Sequence, residues 1–148
     1  MNTSTSIQNR NQAYFDSLEE LPKSRKQVFN MIKKYGPISS QEIARMLMFG
    51  INRVSGRITE LQKTFHINSA GSKKNSYSKH RNTLWVSINN FSVRIDLINA
   101  EFVKLRDEKD SLINDLNIGE LSEFSRVAAK TRITKINKLI NNLENLLK

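Results

Sequence analysis

The chain has 148 residues, of which 38% are hydrophobic and 26% charged, and this length suits one compact domain with an appended module. It has no cysteine and only two histidines, so disulfides and thiolate chemistry are excluded, and neither a metal nor another cofactor is expected. The N-terminus lacks a signal-peptide core, and no apolar run approaches the roughly 20 residues that span a membrane. These features predict a cytoplasmic protein with no membrane partner.

The positive charge is concentrated in one half of the chain. Residues 21–90 hold 13 Lys and Arg against two acidic residues, Glu42 and Glu60, whereas residues 91–148 hold 10 against 9, within a total net charge of +10. A local excess of this size suits nucleic acid, an anionic membrane or an acidic protein. The charge-balanced second half is typical of a helical assembly module with a solvated face.

The N-terminal segment is rich in Asn, Ser, Thr and Gln, and it offers little to bury. This composition predicts a flexible arm over residues 1–17, with at most a short turn of helix over residues 13–20. Beyond it, Ser24 and Gln27 have the spacing of a capping box at the start of a helix. Gly36 is expected to end that helix in the left-handed conformation.

Two short helices are predicted to follow. Ser39 and Glu42 form a second capping box, which opens a helix of about two turns that stops near Gly50. Asn52 can cap the next helix, which runs to about residue 64. Its inward face is predicted from apolar residues at i, i+4 and i+7, namely Val54, Ile58 and Leu61.

Residues 65–88 are predicted to form a β-hairpin. A short β-type run at 65–69 and an alternating run at 83–88 flank a basic segment, residues 71–81. The segment is longer than a tight hairpin turn, so it can project from the body of the domain.

Two long helices are predicted for the C-terminal half, because neither Gly nor Pro occurs between Asn89 and Gly119. Apolar seams with steps of three and four residues lie on both sides of the break at Gly119. They comprise Ile98, Phe102, Leu105, Leu112 and Leu116 in the first helix, and Ile133, Ile136, Ile140, Leu143 and Leu147 in the second. The seams predict a coiled-coil dimerisation region over residues 91–148, with a hairpin folded within one chain as the alternative.

The order of helix, short strand, short helix, turn, helix and two-stranded wing resembles the winged helix-turn-helix superfamily of prokaryotic transcription regulators. The resemblance is carried by GPISSQEIA, residues 36–44, and INRVSGRITELQK, residues 51–63. The sequence from Val54 to Leu61 is most similar to small helix-turn-helix proteins of phages and other mobile elements. Residues 48–51 are more apolar than usual in the superfamily. We therefore expect a mainly α protein with a small β-hairpin: a winged domain over 18–90 and two long C-terminal helices. Its compartment would be the bacterial cytosol, or the host cytosol if a phage encodes it.

The resemblance implies DNA contacts from three elements. The start of the second helix would meet a backbone phosphate through Ser39, Ser40 and Gln41. The third helix would lie in the major groove with its outward residues Asn52, Arg53, Ser55, Gly56, Arg57, Thr59 and Lys63. The wing would follow phosphates or enter the minor groove with Lys73, Lys74, Asn75, Tyr77, Lys79 and Arg81.

These positions also have structural alternatives. Arg53 and Lys63 could be ordinary surface charge, residues 39–41 could serve only as a helix cap, and the wing tip could be a solvated flexible loop. Gly56 would let the helix backbone approach the groove floor, but a glycine there could also make room for a neighbouring side chain within the fold. Arg57 lies nearer the core direction, so it could reach a phosphate or lie along the protein surface.

We expect sequence-specific binding of double-stranded DNA by a homodimer, as in a transcriptional regulator of phage or mobile-element type. The main alternative is an adaptor that binds a protein, such as a host factor, through the winged fold or the C-terminal helices. RNA or non-specific nucleic-acid binding is a third possibility. An enzyme is not expected, because the sequence has no phosphate-binding glycine-rich loop, no paired carboxylates in a basic pocket and no nucleophile with a histidine partner.

Overall fold

The computed structural model describes residues 3–75 and 79–148, which form a mainly helical protein with a small three-stranded sheet. The chain divides into two compact units, Met1–Arg94 and Ile95–Lys148. The elements in chain order are α1 (Thr3–Glu19), α2 (Lys23–Tyr35), β1 (Ile38–Ser39), α3 (Ser40–Leu47), α4 (Ile51–Lys63), β2 (Ile67–Lys74), β3 (Arg81–Ser87), α5 (Phe91–Ile118) and α6 (Glu123–Leu146). This is the predicted winged helix-turn-helix arrangement followed by two long helices.

The sheet is antiparallel, with β3 between β1 and β2. Trp85 of β3 pairs with Ile38 of β1 on one side and with Ser69 of β2 on the other. The pairing of β2 with β3 is interrupted between Ser69 and Ser72, where Gly71 has a φ of +91°. The hairpin of β2 and β3 is called the wing below, and its strands extend further than the sequence indicated.

The core of the first unit is built from the predicted apolar faces. Val54, Ile58 and Leu61 are buried on the inner side of α4, as the spacing predicted. They belong to one cluster with the buried residues of α2 and α3, namely Val28, Phe29, Ile32, Ile43 and Ala44. Burial of these side chains fixes which face of α4 is left for solvent.

The prediction of a flexible arm over residues 1–17 is wrong, because α1 is a helix of 17 residues that joins the core. Tyr14 and Leu18, one helical turn apart, are both buried. Tyr14 Oη donates a 2.8 Å hydrogen bond to the carbonyl of Ile88. The polar composition of the segment masked these apolar residues near its end, whose burial anchors the helix.

A buried polar cluster lies where α1, the end of α4 and the first turn of α5 meet. The ring of His66 stacks on Tyr14 with centroids 5.9 Å apart, and its Nδ1 lies 2.6 Å from Thr64 Oγ1. Arg94 donates hydrogen bonds of 2.8 and 3.2 Å to the carbonyl of Thr64, and its guanidinium lies 5.4 Å from the Tyr14 ring centroid. Burial lowers the pKa of His66 to about 4, with Arg94 contributing, and burial raises the pKa of Tyr14 to about 12.

The starts of two helices differ from the sequence prediction. Pro22 precedes α2 without a side-chain cap, so the capping box expected at Ser24 and Gln27 is not formed. Gly50 precedes α4, which places Asn52 inside the first turn and not at the cap. In contrast, the capping box predicted at Ser39 and Glu42 is present in full.

Gly36 ends α2 in an extended conformation with φ −61°, and not in the left-handed conformation that was expected. A Cβ atom here would lie 2.5 Å from the carbonyl oxygen of Ile32 and 3.0 Å from that of Trp85. The close approach of two backbone segments therefore accounts for the glycine.

The second unit contains most of α5 and all of α6, with Gly119 in the joint at φ +78°. The two helices are linked by Arg132, which donates hydrogen bonds of 2.6 and 2.9 Å to the carboxylate of Glu108. This ion pair holds the pKa of the Glu108 carboxyl below its usual value, mainly through the hydrogen bond from Arg132. The two long helices are thus joined within a single chain.

The predicted dimer seams are already covered to a large extent in the single chain. Ile98, Phe102, Leu105, Ile136 and Leu143 are buried, whereas Leu112, Leu116, Ile133 and Ile140 are partly buried and Leu147 is exposed. The buried seam residues are therefore interior to one chain, which favours the hairpin alternative over a coiled coil through both seams.

No helix in residues 3–75 and 79–148 is long and apolar enough to cross a bilayer.

Candidate nucleic-acid interface

The outer face of α4 lies opposite the buried Val54, Ile58 and Leu61. It comprises the exposed residues Asn52, Arg53, Ser55, Thr59 and Lys63, with the partly exposed Gly56 at its centre. Thr59 Oγ1 donates to the carbonyl of Ser55, so that hydroxyl is satisfied within the helix. The remaining amide and cationic groups are of the kinds that recognise base edges and phosphates.

Gly56 has no role in internal packing. A Cβ atom at this position would meet no other atom within 4 Å, so the alternative in which the glycine makes room for a neighbouring side chain does not apply. A glycine in a helix interior costs about 1 kcal/mol relative to alanine. The helix therefore carries a destabilising residue whose only evident effect is a flat centre on the outer face.

Arg57 does not join the outer face. Its Nε is buried and lies 3.2 Å from Oε2 of Glu60, which also accepts a 3.1 Å hydrogen bond from Nε of Arg25 on α2. The carboxylate of Glu60 is thus shared by two arginines that lie along the protein surface. Of the two interpretations of Arg57, the structure favours the surface position over a phosphate contact.

Arg53 has a different environment in the first turn of α4. Its guanidinium carbon lies 3.8 Å from the centroid of the Phe49 ring, within the range of a cation–π interaction. Sequence reasoning identified Arg53 but missed Phe49, although the two residues stand four apart, a separation typical of contacts near a helix terminus. Beside them Met48 is 92% exposed in the left-handed conformation, which gives this end of the face an apolar edge.

The start of α3 presents only part of its predicted contact set. Ser39 is buried, and its backbone N–H and hydroxyl both donate to Glu42 Oε2, at 2.9 and 3.0 Å. The backbone N–H of Ser39 holds the pKa of Glu42 below its usual value, and Lys73 lowers it further. Ser39 is therefore committed to the cap, while Gln41 is exposed and Ser40 is partly exposed.

The wing is fastened to the start of α3. Gln41 Oε1 accepts hydrogen bonds of 3.0 Å from Asn75 Nδ2 and 3.2 Å from Asn82 Nδ2, and Lys73 Nζ lies 3.4 Å from Glu42 Oε1. Asn82 was not identified from the sequence, because nothing in its local pattern points to a residue 41 positions away. The bonds hold the start of α3 against the loop end of the wing, where Lys73 pairs with Asn82.

The other wing residues are less constrained, with one exception. Arg81 donates from Nε to Ser72 Oγ at 2.8 Å and from Nη2 to the Ser72 carbonyl at 3.0 Å, which links β3 to β2 through a side chain. Lys74 and Lys79 are exposed, and Tyr77 lies outside the described residues. The wing thus presents Lys74 and Lys79 as exposed lysines near its loop end.

No group of three or more His, Asp or Glu side chains in residues 3–75 and 79–148 could hold a metal ion. The groups brought together on α3, α4 and the wing are amides, hydroxyls and cations, which suit the binding of a polyanion.

No protein-family model matches the chain, and no curated protein matches it. Among solved structures it is similar to FabT of Streptococcus pneumoniae in complex with DNA, with 12% identity, a TM-score of 0.35, and coverage of 82% of this chain and 76% of that one. It is similar to a MarR protein from Peptoclostridium difficile, with 13% identity, a TM-score of 0.38, and coverage of 97% and 84%. A third is the S. aureus MepR–DNA complex, with 16% identity, a TM-score of 0.36, and coverage of 92% and 90%. TM-scores and identities this low do not support any function for this chain. The function is therefore inferred from the chain's own residues.

Proposed function

We propose that this protein binds double-stranded DNA in a sequence-specific manner, with the outer face of α4 in the major groove and the wing along the adjacent backbone or minor groove. The observation that carries the proposal is Gly56, a costly residue with open space around it at the centre of a polar and basic face. A helix without a side chain at this point can approach the floor of the groove closely. Its neighbours Asn52, Arg53 and Lys63 would then contact base edges and phosphates.

The charge distribution supports the same proposal. Residues 21–90 carry the excess of basic residues, and Glu60 is neutralised by two arginines inside the unit. Little negative charge within residues 21–90 therefore opposes the exposed Lys63, Lys74 and Lys79. We further propose that the biological role is transcription regulation of the phage or mobile-element type, in the cytoplasm, because residues 54–61 resemble such proteins.

The double variant R53A/K63A tests the proposal. From a random duplex pool, the wild-type protein is expected to enrich a motif and to bind it more weakly as salt rises. The variant should lose the enrichment and bind the selected site at least about ten-fold more weakly, the loss expected from one good base contact or more. Enrichment sequencing and binding isotherms at two salt concentrations measure both effects.

The matched control is K135A/K138A, which removes two exposed positive charges from α6. Because these residues lie in the charge-balanced half, the control should keep the wild-type motif and affinity. Equal losses of DNA affinity in the two variants would show that net charge alone drives binding. The assignment of α4 as the recognition helix would then be wrong.

We also propose that the protein is a homodimer, through a surface other than the buried seams. Phe124 is 85% exposed and shares a face of α6 with the exposed Val127, while Ile118 is exposed at the end of α5. Exposed apolar side chains that share a face, as Phe124 and Val127 do, are typical of protein contact surfaces. A two-fold dimer would place two copies of α4 on a symmetric DNA site.

Replacing Phe124 and Val127 with serine is expected to separate the dimer. The F124S/V127S variant should sediment as a single 17.1 kDa chain at micromolar concentration, whereas the wild type sediments at twice that mass. Loss of the second DNA-binding unit should also lower the affinity for a symmetric site by about a hundred-fold. A K135S variant, which changes an exposed polar position of the same helix, should remain dimeric.

The exposed Phe124 also favours a second function, that of an adaptor for another protein. In that case the wild-type chain alone sediments as a monomer and shows little salt-sensitive affinity for DNA. The sedimentation and binding experiments above therefore separate the two functions.

A further inference from the structure

We propose that Arg53 reads a guanine in the major groove and that Phe49 is the residue that positions it for this task. The inference rests on the proposed DNA-binding function and specifies how one position of the site is recognised. It comes from a contrast among three arginines of the first unit, Arg25, Arg53 and Arg57. Arg25 and Arg57 share the carboxylate of Glu60, whereas Arg53 lies on an aromatic ring.

The Phe49 ring is itself held in place. It packs against the buried core cluster of the first unit, and its backbone N–H donates a 3.0 Å hydrogen bond to the carbonyl of Ala44 at the end of α3. The backbone N–H of Arg53 donates a 3.1 Å bond to the carbonyl of Gly50 in the first turn of α4. Both members of the stacked pair are therefore anchored by the backbone of the helix-turn-helix segment.

Stacking leaves the hydrogen-bonding capacity of Arg53 unused. A guanidinium donates all of its five N–H bonds in its own plane, and a ring at 3.8 Å covers one face of that plane without accepting from its edge. Within residues 3–75 and 79–148, no hydrogen bond or ion pair joins this guanidinium to another side chain. The free chain thus presents a planar donor fork whose orientation is already restricted.

The partner that matches such a fork in the major groove is guanine. Its O6 and N7 atoms form the pair of acceptors that arginine engages with two parallel hydrogen bonds, which is the commonest specific protein–DNA contact. Residues in the N-terminal part of a recognition helix are the ones that contact base edges, and Arg53 lies in the first turn of α4. Stacking on Phe49 lowers the entropy lost when the fork binds, which favours a directional base contact over a diffuse phosphate contact.

The decisive test uses altered bases in the selected site. Replacing the recognised guanine with 7-deazaguanine removes N7, and should weaken wild-type binding about ten-fold. Replacing it with inosine keeps both major-groove acceptors and removes only the minor-groove amino group, so it should leave the affinity nearly unchanged. R53A should bind the guanine, 7-deazaguanine and inosine sites with equal affinity.

The role of Phe49 is tested by F49L, which keeps an apolar side chain but lacks a ring. This variant should lose several-fold in its preference for guanine at one position, and F49Y should restore it. In the R53A background, F49L should have no further effect on base preference. A residue with a purely structural role would instead lower the stability and the affinity for all sequences together.

The outcomes separate this inference from the function on which it rests. If the wild type enriches no motif, the proposed function fails. If a motif is enriched but every guanine in it tolerates 7-deazaguanine, or R53A weakens binding equally for all bases, Arg53 contacts a phosphate and the inference is overturned. If F49L leaves the guanine preference intact, the positioning role of Phe49 is overturned.

Discussion

The G56A variant is expected to be more stable than the wild type and to bind DNA at least about ten-fold more weakly. Alanine replaces the costliest helix residue after proline, and its Cβ meets no atom within 4 Å, so the free energy of unfolding should rise by about 1 kcal/mol. The same methyl group stands at the centre of the outer face of α4. It would hold the helix away from the groove floor and lengthen the base contacts beside it. Denaturant unfolding and binding isotherms measure the two opposed effects.

N137A is the matched control for this experiment. Asn137 is exposed in the interior of α6, so alanine should raise stability through helix propensity while leaving the DNA affinity unchanged. Stability gained by G56A without any loss of affinity would show that this face of α4 does not meet the groove.

Acid should destabilise the protein through His66. Burial depresses the pKa of His66 to about 4, whereas the unfolded chain takes up this proton near its ordinary value of 6.5. The stability is therefore complete above pH 6.5 and is lost as the pH falls toward 4. Between pH 7.5 and pH 5 the free energy of unfolding should fall by about 2 kcal/mol, as measured by urea denaturation.

Two variants assign that loss to the buried ring. H66Q removes the titrating group, so its stability should change little between pH 7.5 and pH 5, although its stability at neutral pH will be lower. H80Q removes the only other histidine and should keep the wild-type pH dependence. An unchanged slope in H66Q would assign the acid sensitivity to another group.

Much of the fold followed from local patterns in the sequence. The spacing of Val54, Ile58 and Leu61 predicted both α4 and its inner face, and the Ser39 capping box predicted the start of α3. The first helix was missed because composition outweighed its few apolar residues, Tyr14 among them, whose partners lie far along the chain. Local periodicity identifies a helix face, but it does not show what covers that face.

The candidate site was also predictable only in part from local patterns. Helical geometry selected the outward residues of α4, and their contacts with DNA remain predictions. It could not distinguish Arg53 from Arg57, because that distinction depends on Glu60 and on its second partner Arg25, 35 residues earlier. It also could not show that Ile98 and Ile136 are covered within one chain, since a seam has the same spacing in a hairpin and in a dimer.

Under the proposed function, the hydrogen bonds between the wing and α3 would compete with DNA phosphates for the same donor groups. Lys73 already has Glu42 as a partner, and Asn75 already donates to Gln41. A phosphate that recruits these donors must displace an existing acceptor, so the net gain from backbone contact is smaller than the number of donors suggests. Under the proposed function, a poorly matched DNA sequence would then bind the protein weakly, and discrimination between sites would depend mainly on the bases that contact α4.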